Sequence, residues 1–463
     1  MADKIPDWLP RLQSILADAL ALLEESQGPA VAKLRAAAER LLASRWTVLV
    51  SGLCSVGKSS FVGALWGDSL MLPTAVRDCT QTNTRIRIPA PFEADRSIRL
   101  SYLPREQALD YATRDLSYYR LAQLLAEISG PLSPRLDERP PAERLRTAVT
   151  SVRKLFKDRS DLFVLHEPLT EELEKLEQFL EFLDSPAYRP GETVTARWED
   201  RREHLMGHRR PDGRTLDVGK LLALRHVEML RNTNLWGDAT PPQVIDTPWI
   251  PAFHNARRAD LILAQGRAAD LLVILALPDR YELEPWAVQL LAERPELLPR
   301  TLIVFNQIDT IDTAALFGRD GFATIFQENT ERFRRLGTRP ENMFMSCARL
   351  PFLENTPPDD LVTRLSGRLK KVLARLVQQV SSRPAGEFKR KLLAACARPD
   401  GGMETVRARL LELAKGPVDR AHALEALKAL ENINALDVPE SHRAAWQEIT
   451  RHAASVRPQL GVI

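Results

Sequence analysis

Apolar residues recur along the first part of the chain at Leu9, Leu12, Leu16, Leu20 and Leu23, and Gly28-Pro29 divides the stretch 5–44 into two amphipathic helices. The pattern then changes period. Thr47-Val48-Leu49-Val50 is a short β-type run, and comparable runs return at His226 to Leu230, Gln243 to Ile245, Leu271 to Leu277 and Leu302 to Phe305, with helical patterns between some of them. Strands alternating with helices predict a mainly parallel sheet flanked by helices on both faces. Between about 104 and 222 the pattern is helical and polar, with an amphipathic stripe at Leu173, Leu176, Phe179, Leu180 and Leu183. Beyond about 357 it is helical again, broken near Pro384, Pro399 to Gly402, Gly416-Pro417 and Pro439. The expected organisation is an N-terminal helical segment (1–45), an α/β domain (46–350) carrying a helical insertion (about 104–222), and a C-terminal helical bundle (351–463) that packs with the first segment.

The loop after the first β-type run carries chemistry. Gly52, Gly57, Lys58 and Ser59 fit G-x-x-x-x-G-K-[ST], with a helix start from Ser60 behind them. Strand, glycine loop and helix aim successive backbone N–H groups and a helix N-terminus at an anion. Phosphate contacts are therefore expected along Gly52, Cys54, Ser55, Val56, Gly57, Lys58, Ser59 and Ser60, with Lys58 on the β- and γ-phosphates and the Ser59 hydroxyl on Mg²⁺. In the stretch Leu72 to Thr82, Thr80 is the expected second metal hydroxyl, with Thr82 and Thr84 as close rivals. Asp246, ending the run Val244-Ile245, is the expected acidic partner of the metal. Asn306-Gln307-Ile308-Asp309 follows another apolar run, and a desolvated carboxylate at Asp309 can accept both guanine N–H groups, a pair adenine lacks. Backbone amides at Ser346, Cys347 and Ala348 are expected near the guanine O6.

In this order and spacing the motifs resemble the dynamin superfamily of large GTPases, above all its bacterial dynamin-like branch. The likeness lies in Gly52 to Leu65 with Ala64-Leu65-Trp66-Gly67, in Leu72-Pro73-Thr74 with Cys79-Thr80, in Asp246-Thr247-Pro248, and in Asn306-Gln307-Ile308-Asp309. It implies a P-loop GTPase domain that binds GTP or GDP with Mg²⁺, hydrolyses GTP, and forms a homodimer across the nucleotide face. It also implies catalytic parts for Lys58, Ser55 and Thr80, with Ser55 supporting a charge-compensating monovalent cation. The chain departs from the family pattern at three positions: Trp249 replaces the glycine after Asp246-Thr247-Pro248, Gln307 replaces a lysine, and Cys54 replaces a glutamine. Trp249 favours a rival reading, a nucleotide-dependent interaction module with little hydrolysis; an ATPase is a third.

Composition narrows the setting. At 463 residues with a formal net charge of +3, the chain carries no strong field for nucleic acid. Cys54, Cys79, Cys347 and Cys396 suit neither a zinc site nor a disulfide framework, so they read as reduced thiols of a cytoplasmic protein. The start, MADKIPDW, lacks the apolar core of a signal peptide, and no apolar run reaches the roughly 18 residues of a membrane span. Two features leave alternatives open. Arg197, Arg201, Arg202, Arg209, Arg210 and Arg214 form either a solvated face interspersed with acids or a dock for phosphates or an acidic protein partner. The basic amphipathic stretch Asp359 to Val380 either packs in the bundle or lies peripherally on the inner face of a membrane.

Overall fold

The computed structural model describes residues 8–24, 26, 28–42, 46–53, 56–68, 71–72, 83–90, 93–129, 139–158, 167–206, 208–209, 215–216, 218–237, 239–247, 262–277, 285–307, 331, 333–335, 337–346, 402–433 and 438–460. In chain order the main elements are α1 (Trp8–Leu22), α2 (Pro29–Leu42), β1 (Thr47–Gly52), α3 (Lys58–Trp66), β2 (Thr84–Arg87), β3 (Ser97–Tyr102), α4 (Arg105–Thr113), α5 (Leu116–Ser129), α6 (Pro141–Asp158) and α7 (Glu167–Leu183). They continue as β4 (Thr193–Arg197), β5 (Leu224–Leu230), β6 (Gln243–Asp246), β7 (Leu271–Ala276), α8 (Pro285–Glu293), β8 (Thr301–Phe305), β9 (Met343–Met345), α9 (Met403–Leu413), α10 (Asp419–Glu431) and α11 (Arg443–Val456). The chain divides into two units, one of Met1–Thr47, Asp238–Pro242 and Arg407–Ile463, the other of Val48–Gly237 and Gln243–Val406.

The larger unit is built on a nine-stranded sheet in the order β9-β8-β7-β1-β6-β2-β5-β3-β4. Strands β7 (LLVILA) and β8 (TLIVF) are buried at every position, as central strands covered on both faces require. The pairs β9–β8, β8–β7, β7–β1 and β2–β5 are parallel, whereas β2–β6, β3–β5 and β3–β4 are antiparallel. The expected mainly parallel sheet with flanking helices is present. On its β2-to-β4 side it becomes mixed.

The segment 104–222 was expected to be helical. It holds α4 to α7 around their own core of Leu121, Leu145, Val152, Leu176, Phe179 and neighbours, but also β4, which adds an edge strand to the sheet beside β3. Strand β4 alternates between exposed and half-buried positions because its successive side chains point to opposite faces, one of them open to solvent at the sheet edge. Packing against the insertion also fixes one glycine: a Cβ at Gly219 would lie 2.3 Å from the Lys175 carbonyl oxygen, so only glycine lets the short helical turn Val218–Leu221, before β5, meet α7 so closely. In the arginine-rich run, Arg197 pairs with Asp200 at 3.1 Å and Arg201 stacks over Trp198 at 5.2 Å, while Arg210 and Arg214 lie outside the described residues. The stretch Asp359 to Val380 also lies outside them.

In the smaller unit, Leu12, Leu16, Leu34 and Leu41 of α1 and α2 share one core with Leu427 and Leu430 of α10 and Trp446 and Val456 of α11. The ends of the sequence thus complete each other, since neither pair of amphipathic helices can bury its stripe alone. Between α9 and α10 a π-helical turn, Ala414–Val418, accommodates Gly416-Pro417 without ending the helical course. Just beyond it, burial raises the Asp419 carboxyl to about 6, partly opposed by His422 and Lys415. An acid whose folded pKa lies above its unfolded value of 3.8 loses stability as pH rises from about 4 through 6, and the penalty is constant above that. Asp419→Asn is therefore expected to stabilise the protein by about 1–2 kcal/mol at pH 7.5 once solvent screening is allowed for, with no gain at pH 4. Urea midpoints followed by circular dichroism at the two pH values check this.

Candidate functional site

The parallel register brings the carboxyl ends of four strands to one rim. Gly52 of β1 pairs with Leu275 of β7, Phe305 of β8 with Ala276 of β7, and Phe305 with Met345 of β9. This is the edge at which parallel sheets bind ligands. Strand β1 lies between β7 and β6, so its outgoing loop is flanked on both sides.

That loop turns on two glycines. A Cβ at Gly52 (φ +153°) would lie 2.5 Å from the Leu275 carbonyl oxygen, so the chain leaves β1 pressed against β7. Gly57 sits at φ +85°, ψ 32°, in the left-handed region, and caps α3. Its carbonyl accepts the Phe61 amide at 2.8 Å, which starts the helix. Lys58 follows, buried at 9% exposure, and its Nζ donates to the carbonyl oxygens of Gly52 at 2.5 Å and Leu53 at 3.0 Å. The loop's own carbonyls therefore hold the ammonium at its mouth. The next side chain reaches the neighbouring strand: Ser59 Oγ donates to Asp246 Oδ2 at 2.9 Å. Asp246 is fully buried at the end of β6, and Thr84 of β2 is its cross-strand partner. Thr247 fixes this end of β6 by donating its hydroxyl to the Val50 carbonyl at 2.8 Å.

A serine hydroxyl and a carboxylate oxygen in hydrogen-bond contact are hard oxygen donors, the set that suits Mg²⁺. Among the described residues no group of three or more His, Cys, Asp or Glu side chains could hold a metal alone. The donor pair fits an ion that takes its remaining ligands from water and phosphate.

The segment after β8 touches the same loop. Asn306 directly follows β8, is 1% exposed, and donates from Nδ2 to the Val56 carbonyl at 2.8 Å. Gln307 follows in the left-handed region at φ 60°, also buried. Ser346 is fully buried, but its amide donates to the Phe305 carbonyl at 2.8 Å and its hydroxyl to Met403 Sδ at 3.4 Å, so its own N–H belongs to the sheet rather than to a base. The structure thus assembles Gly52, Val56, Gly57, Lys58, Ser59, Ser60, Asp246, Asn306, Gln307 and Ser346 on or near one rim. Cys54, Ser55, Thr80, Trp249, Asp309, Cys347 and Ala348 lie outside the described residues. Two contacts had no signal in the sequence: Thr247 on Val50, and Met403 beneath Ser346, which comes from far along the chain.

No known family profile matches the chain, and no curated protein matches it. Solved structures do. One is a chain of an oligomerised bacterial dynamin pair described as providing a mechanism for long-range sensing and tethering of membranes. It is 11% identical, with 98% of this chain and 50% of that one covered and a TM-score of 0.41. A second chain described in the same words is 11% identical, with 97% and 60% covered and a TM-score of 0.37. The present chain therefore spans about half to three-fifths of their length.

Proposed function

We propose that this chain is a dynamin-like GTP-binding protein that hydrolyses GTP to GDP and phosphate. The single observation behind the reading is the contact set at the end of β1, with Lys58 held by the loop carbonyls and Ser59 by Asp246. In this reading Lys58 and the loop amides neutralise the β- and γ-phosphates, and Ser59, Thr80 and Asp246 hold the metal region. Magnesium, when bound, supplies further charge neutralisation across those phosphates. Water attacks the γ-phosphorus in line, the bond to the β,γ-bridging oxygen breaks, and Ser55 supports the charge balance, with a monovalent cation nearby. Asn306 joins the base segment to the phosphate loop, and Asp309 selects guanine. The motif resemblance adds a homodimer through the nucleotide face, and the basic amphipathic stretch Asp359 to Val380 adds peripheral contact with a membrane. Among the described residues no helix is long and apolar enough to cross one.

The test combines turnover with base choice. Phosphate release from GTP is expected to rise per molecule with protein concentration, as a site completed by dimerisation requires. GTP is expected to displace a labelled nucleotide better than ATP. Asp309→Asn is expected to reduce that preference roughly a hundredfold, since two hydrogen bonds to a charged acceptor are altered. Binding without release at any concentration would replace the enzyme by the interaction module. Stronger displacement by ATP would replace the guanine assignment.

A further inference from the structure

Strand β4 closes one end of the nine-stranded sheet, with β2, β5 and β3 between it and β6. It pairs with β3 in one antiparallel register, from Ser97 opposite Arg197 to Ser101 opposite Thr193, without a shift. Next to these pairs the Tyr102 amide donates to the Glu192 carbonyl at 2.9 Å. Hydrogen-bonded and non-bonded pairs alternate along an antiparallel ladder. Leu100–Val194 and Ile98–Ala196 are therefore bonded pairs. The N–H and C=O groups of Thr193, Thr195 and Arg197 point the other way, off the sheet. Among the described residues no turn or loop backbone meets them. All three residues are exposed, whereas Val194 and Ala196 are half-buried.

Open edges are normally blunted by proline, lysine, a bulge or an overlying element. The strand TVTAR has no proline or lysine, and its register carries no bulge. Its one charge, Arg197, already lies 3.1 Å from Asp200. Its Thr193 hydroxyl lies 2.9 Å from that of Ser101, inside the sheet. What this edge lacks is partners for its main chain.

We propose that this edge pairs with the same edge of a second copy of the chain, β4 against β4, antiparallel about a two-fold axis at Thr195. An axis there is the one that gives every outward group of the strand a partner. Thr195 exchanges both backbone bonds with Thr195 of the second copy, and Thr193 exchanges both with Arg197 of the second copy. The side chains match in the same register. On one face Val194 meets Ala196 of the second copy, so the apolar row Leu100–Val194 runs on into Ala196–Ile98 across the seam. On the other face the β-branched Thr195 meets its own copy. Arg197 meets a threonine rather than a cation, and the two Arg197 side chains lie at opposite ends of the seam. An unrelated extended peptide would satisfy the main chain alone; the matched rows favour a second copy. A seam of five residues buries less than the roughly 1,000 Å² of a stable interface, so dimers are expected to form at about 10–500 µM. The contact is separate from the nucleotide rim and does not depend on the nucleotide reading.

The test is sedimentation velocity of the full chain, free of nucleotide and metal, across that concentration range. The mean mass is expected to rise toward a dimer. Thr195→Pro removes an N–H that points off the sheet, a position at which an edge strand tolerates proline. It is expected to weaken association about tenfold or more, since both bonds of the central pair are lost. The thermal unfolding curve shows that the variant is folded. Thr195→Lys, which sets two cations against each other on the axis, repeats the test should the proline variant fail to fold. Cysteine variants check the register against the background of the four native cysteines. Opposed residues of a bonded pair lie about 5.5 Å apart at Cα, within disulfide reach, so mild oxidation of Thr195→Cys is expected to give a covalent dimer above the wild-type level. Thr193→Cys is expected to give no such increase, because its two thiols would lie about 13 Å apart along the seam. A wild-type chain that stays monomeric throughout overturns the proposal and leaves the edge to an extended segment of another protein. Association that Thr195→Pro and Thr195→Lys leave unchanged, or a covalent dimer of Thr193→Cys as abundant as that of Thr195→Cys, overturns it as well.

Discussion

Replacing Lys58 with alanine is expected to lower GTP affinity by about two to three orders of magnitude and to reduce phosphate release to background. The ammonium is buried and held at 2.5 and 3.0 Å by two carbonyls of its own loop, so its position is fixed before any ligand contact. Little side-chain entropy is then lost on binding. A charge-assisted hydrogen bond contributes about 1.5–3 kcal/mol, and a cation beside a multiply charged phosphate in a partly desolvated cleft adds to it. Arginine is not a substitute, because its planar fork cannot occupy the space of a compact ammonium above two carbonyls. Isothermal titration with Mg²⁺ present measures the loss, and the thermal unfolding curve separates it from misfolding. Wild-type affinity in a folded Lys58→Ala protein would overturn the reading of the loop.

The sequence made this loop and its central strands legible because both are local. Gly52, Gly57, Lys58 and Ser59 are fixed by spacing alone, and the run Leu271 to Leu277 can hardly be anything but a covered strand. The stripe Leu9, Leu12, Leu16, Leu20 and Leu23 of the smaller core was legible for the same reason, whereas its partners on α10 and α11 were not. What remained hidden depends on pairing between distant segments. Strand β2 is separated from β5 by the whole helical insertion, so nothing in spacing says that Arg85 faces Glu228 on one side and Ile245 on the other. The alternation Asn83-Thr84-Arg85-Ile86-Arg87 shows a strand but not that its polar side looks onto other polar strands. Strand β4 escaped notice because TVTAR lies in an arginine-rich stretch and has only β3 to pair with. At the site, Asn306 is expected from the motif to serve a base, and in the structure its amide secures the Val56 carbonyl of the glycine loop. Motifs name the residues of a site. Which residue braces which follows from the sheet order.

That brace leads to the second large effect. Gly57→Ala is expected to lower nucleotide affinity about thirtyfold or more through two separable causes. The first is conformational: φ +85° lies in the left-handed region, where a Cβ costs about 1–2 kcal/mol. The second is steric, because that Cβ would lie 2.7 Å from Asn306 Nδ2 and 3.2 Å from Gln307 Nε2. The Asn306 amide must then move away from the Val56 carbonyl, which forfeits a buried hydrogen bond of about 0.5–1.5 kcal/mol. A double-mutant cycle with Asn306→Ala separates the two. Asn306→Ala alone is expected to weaken GTP and ATP alike, since it loosens the phosphate loop rather than a base contact. In the Gly57→Ala background it is expected to do much less further harm, because the contact is already broken, and it cannot relieve the backbone strain. Fully additive losses would show that Gly57 and Asn306 act independently. A double variant no weaker than Asn306→Ala alone would show that the left-handed turn carries no penalty of its own.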